Sequence, residues 1–158
     1  MKPQRISINL PFGLGGVEFV PNEAERRAAW SIYVELTTRI AVQPFDSENG
    51  LMREVLSSLY SLFGLTRQVL REAGPDVAHS PESFGPLAIR ILTEGLAPFT
   101  TKWHQRLHKH ELSCPDKVSA LGHERSWEYF QQMEEELAAL QEEMRGYAKA
   151  LAIIAGAK

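Results

Sequence analysis

The chain of 158 residues is 44% hydrophobic and 23% charged, which is typical of one globular domain with a substantial core and excludes a disordered or fibrous protein. Its formal net charge of -3 argues against a general nucleic-acid-binding protein, because such proteins carry a large basic excess. Cys114 is the only cysteine, and no apolar run approaches the roughly 20 residues that a membrane span needs. The N-terminal residues lack an apolar signal core, so we expect a cytoplasmic protein with no membrane partner.

The first 21 residues predict a small β-hairpin. Apolar and polar residues alternate over 6–10 and again over 17–20, which is the period of a strand. The glycine-rich connector over 11–16 has neither a helix directly behind it nor a Gly-Lys-Ser/Thr ending, so it does not fit a phosphate-binding loop. Two strands alone are only marginally stable. The hairpin should therefore pack on the helices or pair with a strand edge of another chain.

The first helix is predicted to begin after Asn22, which forms a capping box with Glu25, and to end before Pro44. Its predicted buried residues recur at helical spacing. They are Ala29, Tyr33, Leu36 and Ile40, widened by Trp30 and Val34.

The second helix should start near Ser47, a plausible N-cap, and end at Gly74, because glycine followed by Pro75 is a C-terminal signal. The third helix should begin near Pro86 and contain a kink or short break at Gly95 and Pro98. The apolar residues of the third helix are Ile89, Leu92, Leu96, Phe99, Trp103 and Leu107.

A fourth, long helix is predicted over 123–155. Apolar residues occupy the first and fourth places of successive heptads, and glutamates flank this seam. The seam residues are Phe130, Met133, Leu137, Leu140, Met144, Tyr147, Leu151 and Ile154. A single helix cannot cover its own seam, so either the rest of the chain or another chain must pack against it. The predicted fold is all-α and one domain over 1–158, with a hairpin extension over 1–21 and helices over 22–155 in an up-down four-helix bundle.

One candidate metal site lies near the end of the third helix. His104 and His108 are four residues apart and Glu111 falls on the same face, a spacing that allows both imidazoles to reach one Zn²⁺ ion. The zinc-protease pattern also requires glutamate directly after the first histidine, where this chain has Gln105. Histidines at the C-terminal end of a helix also occur without any metal, because they complement its dipole.

A basic surface at the same helix end, formed by Lys102, Arg106 and Lys109, allows nucleic-acid binding as a third interpretation. The net acidity of the chain argues against it, and we expect no nucleic-acid partner. Because Cys114 stands in a connector, we interpret it as a cysteine without a chemical role.

The predicted function is a non-enzymatic interaction, adaptor or regulatory subunit that works through its long helix and its hairpin. We find no catalytic or cofactor motif in the sequence, although catalytic groups are assembled in space and such absence decides little. The partner is predicted to be another protein or a second copy of the chain, with no cofactor. The predicted interface residues are Leu151, Ile153, Ile154, Phe12 and Leu14. The alternative is a metal-binding helical enzyme or sensor at His104, His108 and Glu111.

Overall fold

A computed structural model describes residues 4–157. The described residues are mostly helical, 68%, and form a two-stranded antiparallel hairpin and five helices, one of which is divided into two α-helical segments by a π-helical turn. The elements are β1 (Ile6–Leu10), β2 (Gly15–Phe19), α1 (Glu23–Thr37), α2 (Met52–Ala73), α3 (Phe84–Arg90), α4 (Ala97–Leu112), α5 (Ala120–Arg125) and α6 (Phe130–Ala155). A π-helical turn over Ile91–Leu96 joins α3 and α4 into one continuous helix. Within residues 4–157, no helix has both the length and the apolar character that crossing a membrane requires.

The predicted seam of α6 is buried. Seven of its eight residues, all except the partly buried Phe130, belong to the hydrophobic core. The residues of α1 that pack into this core are small or aliphatic: Ala28, Ala29, Ile32 and Leu36. The helix itself begins at Phe130 instead of residue 123, because α5 ends at Arg125 and a turn containing the buried Trp127 separates the two helices.

The hairpin packs on α6 with the inward residues of β1. Ile8 and Leu10 are buried, and Ile8 lies opposite Val17 in the antiparallel register. At the tip, Phe12 has a φ of 61°, a left-handed conformation that is uncommon for residues other than glycine. The backbone N–H of Phe12 donates to the Glu143 carboxylate at 2.6 Å, which fixes the tip against α6.

The capping box of α1 is confirmed. Asn22 Oδ1 accepts from the Glu25 backbone N–H at 2.8 Å, and the Glu25 carboxylate accepts from the Asn22 N–H at 3.0 Å. The predicted stripe of α1 is partly wrong, since Trp30, Val34 and Ile40 are 49%, 41% and 55% exposed. The helix presents Ala28 and Ala29 to the core, which leaves Trp30 and Val34 on its outer face, and Ile40 lies beyond the end of α1 in a 3₁₀ turn over Ile40–Val42.

The predicted break in the third helix is a π-helical turn, and the helix continues through it. Gly95 lies in this turn against the Phe12 ring, which occupies the space that a Cβ atom would take. Two further details differ from the prediction: the helix begins at Phe84, and Ile89 is 51% exposed. The C-terminal signal of α2 is confirmed, because Gly74 follows the helix with a φ of 77°.

The main helix–helix contacts involve α1, α2, α4 and α6. The helix α1 packs against both α6 and α2, and α2 packs against α4. The up-down four-helix bundle is not confirmed and stays a prediction.

Replacing Gly95 with alanine should destabilise the fold by about 1–3 kcal/mol, because the new methyl group overlaps the Phe12 ring in a packed site. Urea denaturation of wild type and variant measures this change. The control is Gly64→Ala in α2, where nothing lies within 4 Å of the added Cβ and we expect a gain of about 0.5–1 kcal/mol. Equal stability of the two variants would contradict the packing of the hairpin tip on the π-helical turn.

Replacing Tyr147 with phenylalanine should stabilise the protein. The Tyr147 hydroxyl is buried and has no hydrogen-bond partner among the described residues, and burial raises its pKa above the ordinary range. Removing an unsatisfied buried polar group while keeping the ring should raise the free energy of unfolding by about 1 kcal/mol. The control is Tyr129→Phe, at a residue that is 40% exposed, which should change stability little. A clear loss of stability in Tyr147→Phe would mean that the hydroxyl has a partner, such as an ordered water molecule.

Candidate functional site

Four of the five histidines lie at one end of the molecule. His104, His108 and His110 are on α4, and His123 is on α5. Between α4, α5 and the N-terminus of α2 the fold leaves a cavity of about 200 Å³, which we call the α4–α5 pocket. Its lining comprises Leu51, Arg53, Leu107, His110, Glu111, Cys114, Ala120, His123 and Glu124.

Arg53 of α2 contacts His104 and Glu111, two of the three residues that helical spacing places on one face of the third helix. Its guanidinium donates to both carboxylate oxygens of Glu111, at 2.7–3.1 Å. A second contact joins Arg53 Nη1 to His104 Nδ1 at 3.0 Å. Because arginine only donates, Nδ1 of His104 is the acceptor and its remaining proton is on Nε2. Sequence spacing alone does not reveal this arginine, since it comes from another helix.

The predicted metal residues are therefore close together but already paired. His104 and His108 stack with ring centroids 6.3 Å apart, and His108 Nδ1 lies 3.9 Å from the Glu111 carboxylate. Within residues 4–157 no group of three or more His, Cys, Asp or Glu residues has an arrangement that could hold a metal ion. A metal at His104, His108 and Glu111 would have to displace Arg53, so the geometry favours the ion pair.

The N-terminus of α2 is capped by a carboxylate from α5. Leu51 and not Ser47 occupies the N-cap position, and it offers no side-chain acceptor. Instead the buried Glu124 accepts from the Met52 and Arg53 backbone N–H groups, at 2.5 Å and 3.4 Å. Burial raises the pKa of Glu124, and the two backbone donors together with Arg125 offset only part of this effect.

Arg125 fixes the connector that precedes α2. Its guanidinium donates to the Ser47 carbonyl at 2.9 Å and also to the Gly50 carbonyl. The same group lies over the Phe130 ring, 4.5 Å from its centroid, which adds a cation–π contact. Together with the Glu124 cap, these bonds attach α5 firmly to the start of α2.

His110 and His123, which we call the histidine pair, join α4 to α5. Their rings are parallel within 2° and their centroids are 3.8 Å apart. His110 Nε2 lies 2.7 Å from the backbone oxygen of His123, and His123 Nε2 lies 2.6 Å from the backbone oxygen of His110. Trp127 stacks on His110 at 5.7 Å. The two histidines are 13 positions apart in the sequence, a spacing that follows no motif, so sequence reasoning had no signal for this pair.

The predicted interface residues fall into three groups. Leu151 and Ile154 are 0% and 3% exposed and lie in the core of the chain, whereas Ile153 is 46% exposed. Phe12 and Leu14 are partly buried and pack against the core. Ile153 is the most exposed of the five, and an interface role for all of them stays an untested prediction.

The basic surface is partly neutralised within the chain. Lys102 donates to both oxygens of Glu136 at 2.8 Å. Partial burial acts to raise the pKa of Glu136, but the Lys102 and Gln132 hydrogen bonds and the Lys102 charge outweigh it and lower the pKa. Arg106 lies over the Trp103 and Tyr129 rings, at 5.5 Å and 5.8 Å from the centroids. Two of the three predicted basic residues therefore have intramolecular contacts.

The chain has no detected similarity to known proteins. No protein-family model matches it, and comparisons with curated proteins and with solved structures find no significant match. The function of the chain is therefore inferred from the geometry of the site.

Replacing Glu124 with glutamine should remove the pH dependence that this carboxyl group gives to the free energy of unfolding. The pKa of Glu124 is raised above its ordinary value of 4.5, so in the window directly above 4.5 the folded protein binds more protons than the unfolded chain. The free energy of unfolding that Glu124 contributes must fall as pH rises through this window. Subtracting the Glu124→Gln curve from the wild-type curve, both from urea denaturation, should isolate that fall.

The matched variant Glu124→Ala tests the cap itself. It removes the acceptor for the Met52 N–H and should cost about 1–3 kcal/mol at every pH, because buried donors lose their partner. Identical pH curves for wild type and Glu124→Gln would contradict the raised pKa, whereas a harmless alanine variant would contradict the capping role.

Proposed function

We propose that the chain is a non-enzymatic interaction or regulatory subunit whose partner protein places one apolar side chain in the α4–α5 pocket. The observation that carries this proposal is the pocket itself, an apolar cavity of about 200 Å³ between three elements. Leu51, Leu107 and Ala120 provide apolar walls. Transfer of a leucine-sized side chain into such a site is favourable by about 1.5–3 kcal/mol.

The charged residues of the pocket support an apolar occupant. Glu111 is bound by Arg53, and Glu124 is bound by the α2 N-terminus and by Arg125. A charged ligand would have to break either the part-buried Arg53–Glu111 pair or the buried Glu124 cap, which costs more than it returns. An apolar group only displaces water.

The surroundings of the pocket favour a polypeptide over a small molecule. Leu112, the last residue of α4, and Val118, on the connector that carries Cys114, are 75% and 44% exposed. The Cys114 thiol lies 3.6 Å from the Val118 carbonyl, so the connector folds beside the pocket. A partner that covers these side chains as well as filling the pocket buries far more apolar surface than a small ligand does.

The long helix and the hairpin have a smaller part in this proposed interaction than the sequence predicted. Most of the α6 seam is buried, so the exposed apolar contribution of the long helix is Ile153, which lies off the seam. A second exposed apolar surface, Trp30 and Val34 on the groove between α1 and α2, is the competing location for the partner. A cytoplasmic location, a protein or second-copy partner and the absence of a nucleic-acid partner remain parts of the proposal.

The test uses a twelve-residue peptide library displayed on phage and selected on the whole protein. Replacing Ala120 with tryptophan should fill the pocket from its exposed edge and weaken the selected peptides by about tenfold or more, which corresponds to at least 1.4 kcal/mol. Replacing Ala138 with tryptophan is the matched control, because Ala138 is an exposed alanine of α6 outside the pocket and should leave binding unchanged.

Two results would overturn the proposal. One is binding that survives Ala120→Trp but is lost in Trp30→Ala, which would move the interaction to the α1–α2 groove. The other is a library that yields no binder sensitive to Ala120→Trp. Light scattering of wild type and Ala120→Trp decides whether a second copy occupies the pocket, since only that occupant makes the wild type a dimer and the variant a monomer.

A further inference from the structure

A second concave site, which we call the α4 groove, lies beside the α4–α5 pocket. It is an open groove of about 670 Å³ between α4 and the turn that precedes α6. Its lining includes Arg106 and Lys109 of α4 and, from the turn, Trp127, Glu128 and Tyr129. His110 lines both the groove and the α4–α5 pocket, so the two sites share one wall. A polypeptide segment that fills the pocket therefore has the groove next to it.

The α4 groove is basic, although the chain as a whole is acidic. Its lining has two cationic side chains, Arg106 and Lys109, against the carboxylate of Glu128, whereas the formal net charge of the chain is -3. Arg106 and Lys109 are three positions apart on α4, so they lie on the same face of the helix. Both are exposed, and within residues 4–157 neither forms an ion pair, in contrast to Lys102 one turn earlier, which is bound by Glu136. The two cations are therefore available to an anion from outside the chain.

Arg106 is already held in position for such an anion. Its guanidinium lies over the Trp103 and Tyr129 rings, 5.5 Å and 5.8 Å from their centroids. These contacts restrain the side chain through its charge and leave its N–H groups to donate elsewhere. A restrained arginine loses less conformational entropy when it binds, and its planar fork matches the two oxygens of a carboxylate. The groove therefore offers one bidentate donor and, in Lys109, a second positive charge beside it.

A single carboxylate fits the α4 groove better than a nucleic acid does. Nucleic-acid binding obtains its affinity from many phosphate contacts, and this groove provides two cations. Glu128 lies at the same surface and repels a continuous chain of phosphates. An aspartate or glutamate side chain needs only the two cations, and a protein partner supplies it.

The spacing of the two sites determines where this acidic residue lies in the partner. Leu107 lines the pocket and Arg106 lines the groove, so the two sites are on faces of α4 about 100° apart. Around a helix of about 10 Å diameter this corresponds to roughly 9 Å. An extended segment advances about 3.3 Å per residue, so two or three residues cover the distance.

We propose that the α4 groove binds an aspartate or glutamate of the same partner, two or three positions from the apolar side chain that enters the α4–α5 pocket. This inference rests on the proposed function and names the partner's chemistry: a short extended segment with one apolar and one acidic anchor. Arg106 binds the carboxylate oxygens, and Lys109 adds attraction that steers the acidic segment to the groove.

The peptides selected on the whole protein supply the first test. Those that are sensitive to Ala120→Trp should carry aspartate or glutamate two or three positions from their apolar anchor. Replacing that acidic residue with asparagine or glutamine should weaken binding about tenfold and reduce its dependence on salt, because the charge-assisted contact is lost. This comparison leaves the protein unchanged, so it does not depend on whether a variant folds.

Charge reversal in the protein is the second test. Arg106→Glu combined with Lys109→Glu should weaken the selected peptides about tenfold or more, and a peptide with lysine in place of its acidic residue should bind this variant better than it binds wild type. The matched control is Arg67→Glu combined with Arg71→Glu, two exposed arginines of α2 that line neither site. It changes the net charge equally and should leave binding unchanged.

A probe without an apolar anchor separates the two proposals. The nuclear magnetic resonance signal of the Arg106 Nε–H group should shift with a glycine hexapeptide that has two central aspartates, and not with the same peptide containing asparagines. An unchanged signal overturns the acidic site, as does tighter binding of a twelve-nucleotide oligothymidylate to the same groove. A library that yields no peptide sensitive to Ala120→Trp overturns the proposed function instead, and the hexapeptide still decides whether the groove binds carboxylates.

Discussion

Two buried glutamates hold the helices of this protein in their relative positions. The helices α2 and α3 begin without a side-chain cap of their own, so their first N–H groups must find acceptors elsewhere. Glu124 accepts from Met52 and Arg53 at the start of α2, and Glu25 accepts from Phe84 at the start of α3 at 2.9 Å. Each carboxylate also meets the positive end of a helix dipole, which compensates part of the cost of burying its charge.

The candidate site is a consequence of one of these caps. Because Glu124 is bound to α2, the short helix α5 has a fixed position, and His123, the residue before Glu124, is brought against His110 of α4. The pocket is the space that remains where these three elements meet. Arg53 carries one of the capped N–H groups, and its side chain fills the side of this space nearest to Glu111. The cavity and the histidine pair therefore depend on the attachment of α5 to the start of α2, through the Glu124 cap and through Arg125.

The sequence was most informative where local pattern decides the structure. The seam of α6 could be predicted almost completely, because a heptad repeat identifies the buried face of a long helix whatever covers it. The outer face of α1 could not be predicted, since Trp30 and Val34 have the hydrophobicity of core residues. Only the elements that pack against α1 determine that Ala28 and Ala29 lie inward. The predicted cap of α2 was wrong for the same reason. Ser47 is near the start of α2 in the sequence, whereas Glu124 is 72 residues from the Met52 N–H group that it binds.

In the candidate site, too, the residues that share one helix could be predicted, and the contacts between helices could not. Helical spacing correctly placed His104, His108 and Glu111 on one face at one end of the molecule. It could not show that Arg53 would bind two of them, because Arg53 enters from another helix. His110 and His123 had no sequence signal at all, since their link consists of side-chain bonds to backbone carbonyls that the fold alone brings together.

The attachment of α5 to α2 depends on a carboxyl group that accepts hydrogen bonds in either protonation state. Burial raises the pKa of Glu124, so its protonation favours the folded state in the window above its ordinary pKa, and the neutral group keeps an oxygen that accepts from Met52. The histidine pair holds α5 from the other side, through ring stacking at 3.8 Å and Nε2–H bonds to backbone carbonyls of α4 and α5. As the pH falls through the window above the ordinary pKa of Glu124, α5 should therefore stay attached to the start of α2.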